Sequence, residues 1–246
     1  VKVSNEASVH SAVDIKDRLA VALDVPDGRL ALDMVDRLGD SCRWLKVGME
    51  LYYAEGNSLL EALRSRGYRI FLDLKLHDIP NTVAGGVRSV ARSGAELLTV
   101  HAAGGAAMLA AAAETARTPG APRLLAVTVL TSMDATELSN VGACGSPADQ
   151  VLRLARLAAA AGIHGMVCSA QEVAGLRAEL GREAMLVVPG IRPAGDAAND
   201  QRRVATPADA IAAGASMLVV GRPITRAANP ADAARAILGE IESAQG

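Results

Sequence analysis

The chain has 246 residues, half of them hydrophobic, and a formal charge of −2. This length suits one large α/β domain, or two small ones, with a full core. A near-neutral chain with one Trp, one Phe and three Tyr lacks the basic field and the aromatic platforms of a nucleic-acid binder.

In chain order, residues 1–17 are polar and mixed in charge, without the apolar core of a signal peptide. They read as a leader, followed by a single domain over 18–246. The run Leu19-Ala20-Val21-Ala22-Leu23 reads as a strand ending at Asp24, and Asp27 is placed to cap an amphipathic helix through Leu38. Trp44-Leu45-Lys46-Val47-Gly48 is a second strand, and a helix around Leu59, Leu60 and Leu63 ends near Gly67.

The third strand, from Arg69, runs into Asp73-Leu74-Lys75-Leu76-His77-Asp78-Ile79-Pro80-Asn81-Thr82. Alternation puts Asp73 and Lys75 on one face and Leu72, Leu74 and Leu76 on the other. Pro80 suits a helix start, and that helix is expected from about 81 to 93, closed by Gly94. Charges on an otherwise apolar strand are costly to bury unless paired. A structural Asp–Lys pair is the plain alternative. Asp78 adds a third charge immediately before a helix start, which favours a charge array in an active site with Lys75 as proton donor.

The alternation continues with strands at Leu97–His101, 124–130, 165–168, Met185–Val188 and Met217–Val220. Helices are expected before Pro119 and over 151–161, 172–180, 208–213 and 231–241. About eight strand–helix units in about 250 residues match a (β/α)₈ TIM barrel. A doubly wound open sheet is the runner-up, but no Gly-x-Gly-x-x-Gly turn follows the first strand. Cys42, Cys144 and Cys168 show neither a disulfide framework nor metal-ligand spacing. No run reaches the roughly 18 apolar residues of a membrane span. A soluble cytoplasmic protein is expected.

Asp24, Lys46, Asp73, Lys75, His101, Thr131 and Ser132 all fall at or just after strand C-termini, the end where barrel enzymes build their sites. Each has an ordinary explanation alone (His101 as a structural histidine, Thr131 and Ser132 as turn formers), but their coincidence over five strands does not. A second group comprises Pro189-Gly190-Ile191-Arg192-Pro193, Asp200-Gln201-Arg202-Arg203 and Gly221-Arg222-Pro223-Ile224-Thr225. These lie after the seventh and eighth strands, the usual phosphate position of the fold. A phosphorylated small molecule is expected, with its phosphate on Arg222 and Gln201 and its reacting end over Lys75.

Ala22-Leu23-Asp24, Lys46-Val47-Gly48, DLKLHDIPNT, Leu130-Thr131-Ser132 and the two phosphate-side groups together resemble bacterial-type orotidine 5′-phosphate decarboxylases, from Leu19 to Ile241. A bare D-x-K-x-x-D also resembles sugar-phosphate lyases on related barrels; its extension through Thr82, with the Asp-Gln-Arg-Arg loop, is more specific. The resemblance implies decarboxylation of orotidine 5′-monophosphate to uridine 5′-monophosphate in pyrimidine biosynthesis, with no metal or organic cofactor. It implies a charge array of Lys46, Asp73, Lys75 and Asp78, with Lys75 protonating C6. It also implies ribose contacts from Asp24 and Lys46, pyrimidine contacts from Thr131 and Ser132, and phosphate contacts from Gln201 and Arg222, beside Arg192 and Gly221. A homodimer is implied, in which Asp78 and Thr82 reach the neighbouring subunit's site. A catalytically silent nucleotide-binding barrel is the remaining alternative.

Overall fold

Eight parallel strands pair in sequence order, β1 to β8, and β8 closes back onto β1. The computed structural model describes residues 14–193 and 205–244. The strands are β1 Leu19–Leu23, β2 Trp44–Gly48, β3 Arg69–Leu76, β4 Leu97–His101, β5 Arg123–Val127, β6 Gly165–Val167, β7 Met185–Val188 and β8 Met217–Val220. This is the (β/α)₈ barrel expected from the alternation. Among the described residues, no helix is long and apolar enough to cross a membrane.

The helices are α1 Gly28–Leu38, α2 Met49–Ser65, α3 Pro80–Ala91, α4 Gly105–Thr115, α5 Ala135–Asn140, α6 Pro147–Ala160, α7 Val173–Leu180, α8 Pro207–Ala212, α9 Arg222–Thr225 and α10 Pro230–Ser243. Asp27 caps α1 by accepting from the Leu30 amide at 2.8 Å. That helix buries Ala31, Met34, Val35 and Leu38, the spacing of one helical face. Helix α2 starts at Met49, ten residues before Leu59, and is interrupted at Gly56 with φ 64° and ψ −150°, backbone that glycine adopts without a Cβ penalty. The break lets the Glu55 carboxylate accept from the Gly28 amide at 2.7 Å. Helix α6 begins at Pro147, with a capping box between Ser146 and Asp149. Helices α5 and α9 were not expected; at six and four residues they are too short for an apolar period to register.

The core has two layers. Between barrel and helices lie the outward residues of the strands, among them Leu72, Leu98, Leu186 and Leu218. Inside the barrel, Ala20, Ala22, Trp44, Phe71, Leu97, Leu125, Val187, Met217 and Val219 fill the lower part. The chain's single Trp and single Phe both lie in that interior, where bulky side chains make a packed floor rather than a pore.

Residues 14–17, grouped with the leader in the sequence reading, fold against the bottom of the barrel. Ile15–Arg18 is a 3₁₀ turn capped by Asp14. Asp17 accepts from the Trp44 indole N–H at 3.0 Å, from Arg43 at 3.0 Å and from Arg69 at 3.3 Å. The Arg69 guanidinium lies 4.1 Å over the Trp44 ring, a cation–π contact. Asp17 thus ties the first turn to β2 and β3. Asp17→Ala is expected to lower the unfolding free energy by about 2 kcal/mol, the scale of hydrogen bonds to a charged group. Chemical denaturation checks this, with activity per folded molecule unchanged because the site is at the other end.

Candidate active site

At the C-terminal ends of the strands a cavity of about 480 Å³ opens over Phe71, a volume suited to a small organic molecule. Its walls fall into three sectors. Asp24, Lys46, Asp73 and Lys75 come from β1 to β3 or the residue just after; Val127, Val129, Leu130, Thr131, Val167 and Cys168 come from the ends of β5 and β6 and the residues that follow them. Gly190, Arg192, Gly221, Arg222 and Arg226 come from the ends of β7 and β8. Because the strands close in order, the charged and apolar sectors lie on opposite sides.

The charged sector is a chain of alternating sign. Lys46 Nζ lies 3.1 Å from Asp24 Oδ1 and 3.6 Å from Asp73 Oδ2. Lys75 Nζ donates to both Asp73 oxygens at 2.9 Å. Only 11% of the Lys46 side chain and 13% of Asp73 are exposed, against 64% of Asp24. Two acids and two bases sum to zero, which is how this much charge tolerates burial. Gly48 leaves room for it: a Cβ there would stand 3.3 Å from Lys46 Nζ.

Asp73 is at the centre. Burial pushes its carboxyl up, but the Lys46 and Lys75 charges, with hydrogen bonds from Lys75 and Thr99, outweigh that and hold it below the usual 3.8.

The position of Lys75 depends on an irregularity in β3. Leu72 pairs with Leu98 and Leu76 with Val100, so four steps on β3 match two on β4. Two extra residues preserve side-chain parity, so Leu72 and Leu74 still join the outer core while Asp73 and Lys75 line the cavity. Within the irregularity Lys75 takes φ 50°, and it is the one non-glycine residue with positive φ among those described. Such backbone costs about 1–3 kcal/mol and persists where its surroundings hold it. The Lys75 amide donates to Thr99 Oγ1 at 2.8 Å, and that hydroxyl donates to Asp73 Oδ1 at 2.9 Å. Thr99 was not singled out from the sequence. The available signal was a polar residue within Leu97–His101, two positions before His101 and so on its face.

Of the other candidates, Thr131, Arg192, Gly221 and Arg222 line the cavity. Ser132 is exposed and outside the lining. Asp78 and Thr82 are exposed around the start of α3 and do not line this chain's own cavity; Asp78 Oδ1 accepts from the Ile79 amide at 2.6 Å. Gln201, with Asp200, Arg202 and Arg203, lies outside the described residues. The base of that loop is drawn together by a bridge between Ile191 and Ala205, where the Arg192 amide donates to the Ala205 carbonyl at 3.0 Å. His101 is outside the cavity lining and packs on His77 with ring centroids 5.3 Å apart. Burial, then the neighbouring His77 and Lys75 charges, depress its pKa. Among the described residues, no group of three or more His, Cys, Asp or Glu side chains is arranged to hold a metal ion.

Residues 17–237 match the family model described as orotidine 5′-phosphate decarboxylase / HUMPS family. The chain belongs to this family. It is 56% identical over 221 residues to orotidine 5′-phosphate decarboxylase of Anaeromyxobacter sp. (strain K), covering 90% of this chain and 96% of that one. It is 51% identical over 229 residues to the decarboxylase of Nitrosococcus oceani, covering 93% and 99%. The crystal structure of the Lactobacillus acidophilus decarboxylase superposes with a TM-score of 0.81 at 41% identity, covering 92% of this chain and 99% of that one.

A carboxyl whose folded pKa is lowered stabilises the fold above its unfolded value and loses that contribution as pH falls through the folded value. The unfolding free energy of the wild type is therefore expected to exceed that of Asp73→Asn near neutrality. The gap should narrow once pH drops below about 4, the ordinary aspartate value. Denaturation midpoints measured across that range check the sign; a gap widening in acid would contradict it.

Proposed function

We infer that this chain decarboxylates orotidine 5′-monophosphate to uridine 5′-monophosphate in pyrimidine biosynthesis, without a cofactor, with Lys75 as the proton donor. The observation that carries this reading is the cavity itself. It joins the Asp24–Lys46–Asp73–Lys75 chain to an arginine- and glycine-rich rim across an apolar wall. A planar base with a ribose and a distal phosphate matches those three sectors, and the named relatives support the same substrate.

In this reading the phosphate sits on Arg222, beside Gly221 and Arg192, with Gln201 joining from the loop after β7. Asp24 and Lys46 take ribose hydroxyls; Thr131 and Ser132 address the pyrimidine edge. The bond from C6 to the carboxylate breaks, carbon dioxide leaves, and the electron pair stays on C6. The Lys75 ammonium stabilises that carbanion-like centre electrostatically and then delivers its proton to it. Asp73 lies next to the departing carboxylate and holds Lys75 in place. Binding the phosphate, remote from the breaking bond, contributes to ordering the site.

Asp78 and Thr82 complete a neighbouring subunit's site in a homodimer. Their exposure, beside an Ile79 that is 67% exposed, supports this: a large apolar side chain there suits burial against a second copy.

Orotate absorbance in EDTA tests the reaction. The wild type is expected to remove the chromophore of orotidine 5′-monophosphate, and Lys75→Ala to do so at least about 10³-fold more slowly. Folded wild type that binds the nucleotide without turning it over would point to a silent binding barrel instead. Mixing tests the shared site. Lys75→Ala and Asp78→Ala are each expected to be nearly inactive, and exchange between them should restore activity in one of the two sites of each mixed dimer. No recovery in verified mixed dimers would place Asp78 outside the partner's site.

A further inference from the structure

We propose that Thr99 is a positioning residue for the decarboxylation, its single hydroxyl setting both the strained Lys75 backbone and the Asp73 carboxylate. This rests on the roles given above to Asp73 and Lys75.

Where β3 carries two extra residues, the regular ladder to β4 is lost between the Leu72–Leu98 and Leu76–Val100 pairs. The Lys75 amide would be left without its ladder acceptor at that point. Thr99 Oγ1 replaces it at 2.8 Å. A hydroxyl has one hydrogen to give, and an amide can only donate to it, so the Thr99 proton is committed to Asp73 Oδ1 at 2.9 Å. The direction of both bonds is therefore determined. Thr99 is 1% exposed, so water does not substitute for it freely.

The geometric consequence concerns the two ends of Lys75. Its backbone is held by Thr99 and its Nζ by Asp73, which Thr99 also holds. One hydroxyl thus fixes the lysine at its main chain and, through the carboxylate, at its ammonium. The other charges facing Asp73 are Lys46 from β2 and, behind it, Asp24 from the end of β1. Lys46 faces Oδ2, Lys75 donates to both oxygens, and Thr99 donates to Oδ1. A small displacement of a reacting group can cost about 10²-fold in rate. The mechanism needs Lys75 Nζ under one carbon atom, while the phosphate, ribose and base contacts proposed above do not involve Thr99. Loss of the Thr99 hydroxyl should therefore appear in kcat rather than in KM.

The test is steady-state decarboxylation of orotidine 5′-monophosphate by wild type, Thr99→Val and Thr99→Ser. Valine keeps the shape and removes both bonds; serine keeps the hydroxyl. Thr99→Val is expected to lose about 10- to 100-fold in kcat, the worth of one charge-assisted hydrogen bond, with KM changed less than about threefold. Thr99→Ser is expected to recover most of that loss. A valine variant within about threefold of wild type in kcat, or a serine variant as impaired as valine, would overturn the proposal. If Thr99→Val does not fold, Thr99→Ala is read by the same criteria. Wild type that fails to decarboxylate would instead sink the functional reading itself, so the two failures are distinguishable.

Discussion

Asp73 must stay ionised while 13% exposed, and the arrangement of the upper barrel follows from that. An isolated buried carboxylate would protonate or cost several kcal/mol, roughly. Here Lys46 and Lys75 flank it, Thr99 donates to it, and Asp24 balances Lys46 from the solvent side. Each charge is tolerable only because its neighbours are present, so the four side chains behave as one unit. A unit of this kind is preorganised: its dipoles and charges need little rearrangement when charge develops on a bound molecule.

The barrel supplies the rigidity that this unit requires. Lys46 and Asp73 sit on adjacent strands in register, Gly48 opposite Asp73 and Lys46 opposite Phe71. Their separation is thus set by strand spacing rather than by flexible loops. The irregularity in β3 adds one further degree of control. Two extra residues move Lys75 along the strand without turning it to the other face, whereas one extra residue would have sent it into the helix layer. The strain at Lys75 is held in place by Thr99 on the neighbouring strand.

The two ends of the barrel divide stability from chemistry. At the bottom, Asp17, Arg43, Trp44, Arg69 and Glu96 form a closed set of ion pairs and a cation–π contact around the indole. Above it Phe71 closes the packed interior and forms the floor of the cavity. Apolar residues of β5 and β6 then face the charges across the cavity, and a low-polarity wall strengthens interactions with those charges. Arg192, Arg222 and Arg226 gather on the cavity rim beyond the last two strands, where the fold commonly places a phosphate.

Much of this was legible in the chain itself. Short Val- and Leu-rich runs, each followed by an amphipathic segment, determine the barrel, because buried parallel strands and crossover helices leave distinct apolar patterns. The placement of Asp24, Lys46, Asp73 and Lys75 at strand ends follows from the same periodicity, as does the shared face of Asp73 and Lys75. Short segments escaped it: α5 and α9 have too few residues to show a period, and Gly56 hides the first half of α2. What only the tertiary structure decided is pairing across strands. Thr99 looks like any strand threonine until β3 and β4 are set side by side, since its partners are 24 and 26 residues away. The positive φ of Lys75 likewise arises from a mismatch between two strands, which neither strand's own sequence records. Local pattern follows from side-chain periodicity within a segment; contacts between segments follow from register, and register exists only once the barrel has closed.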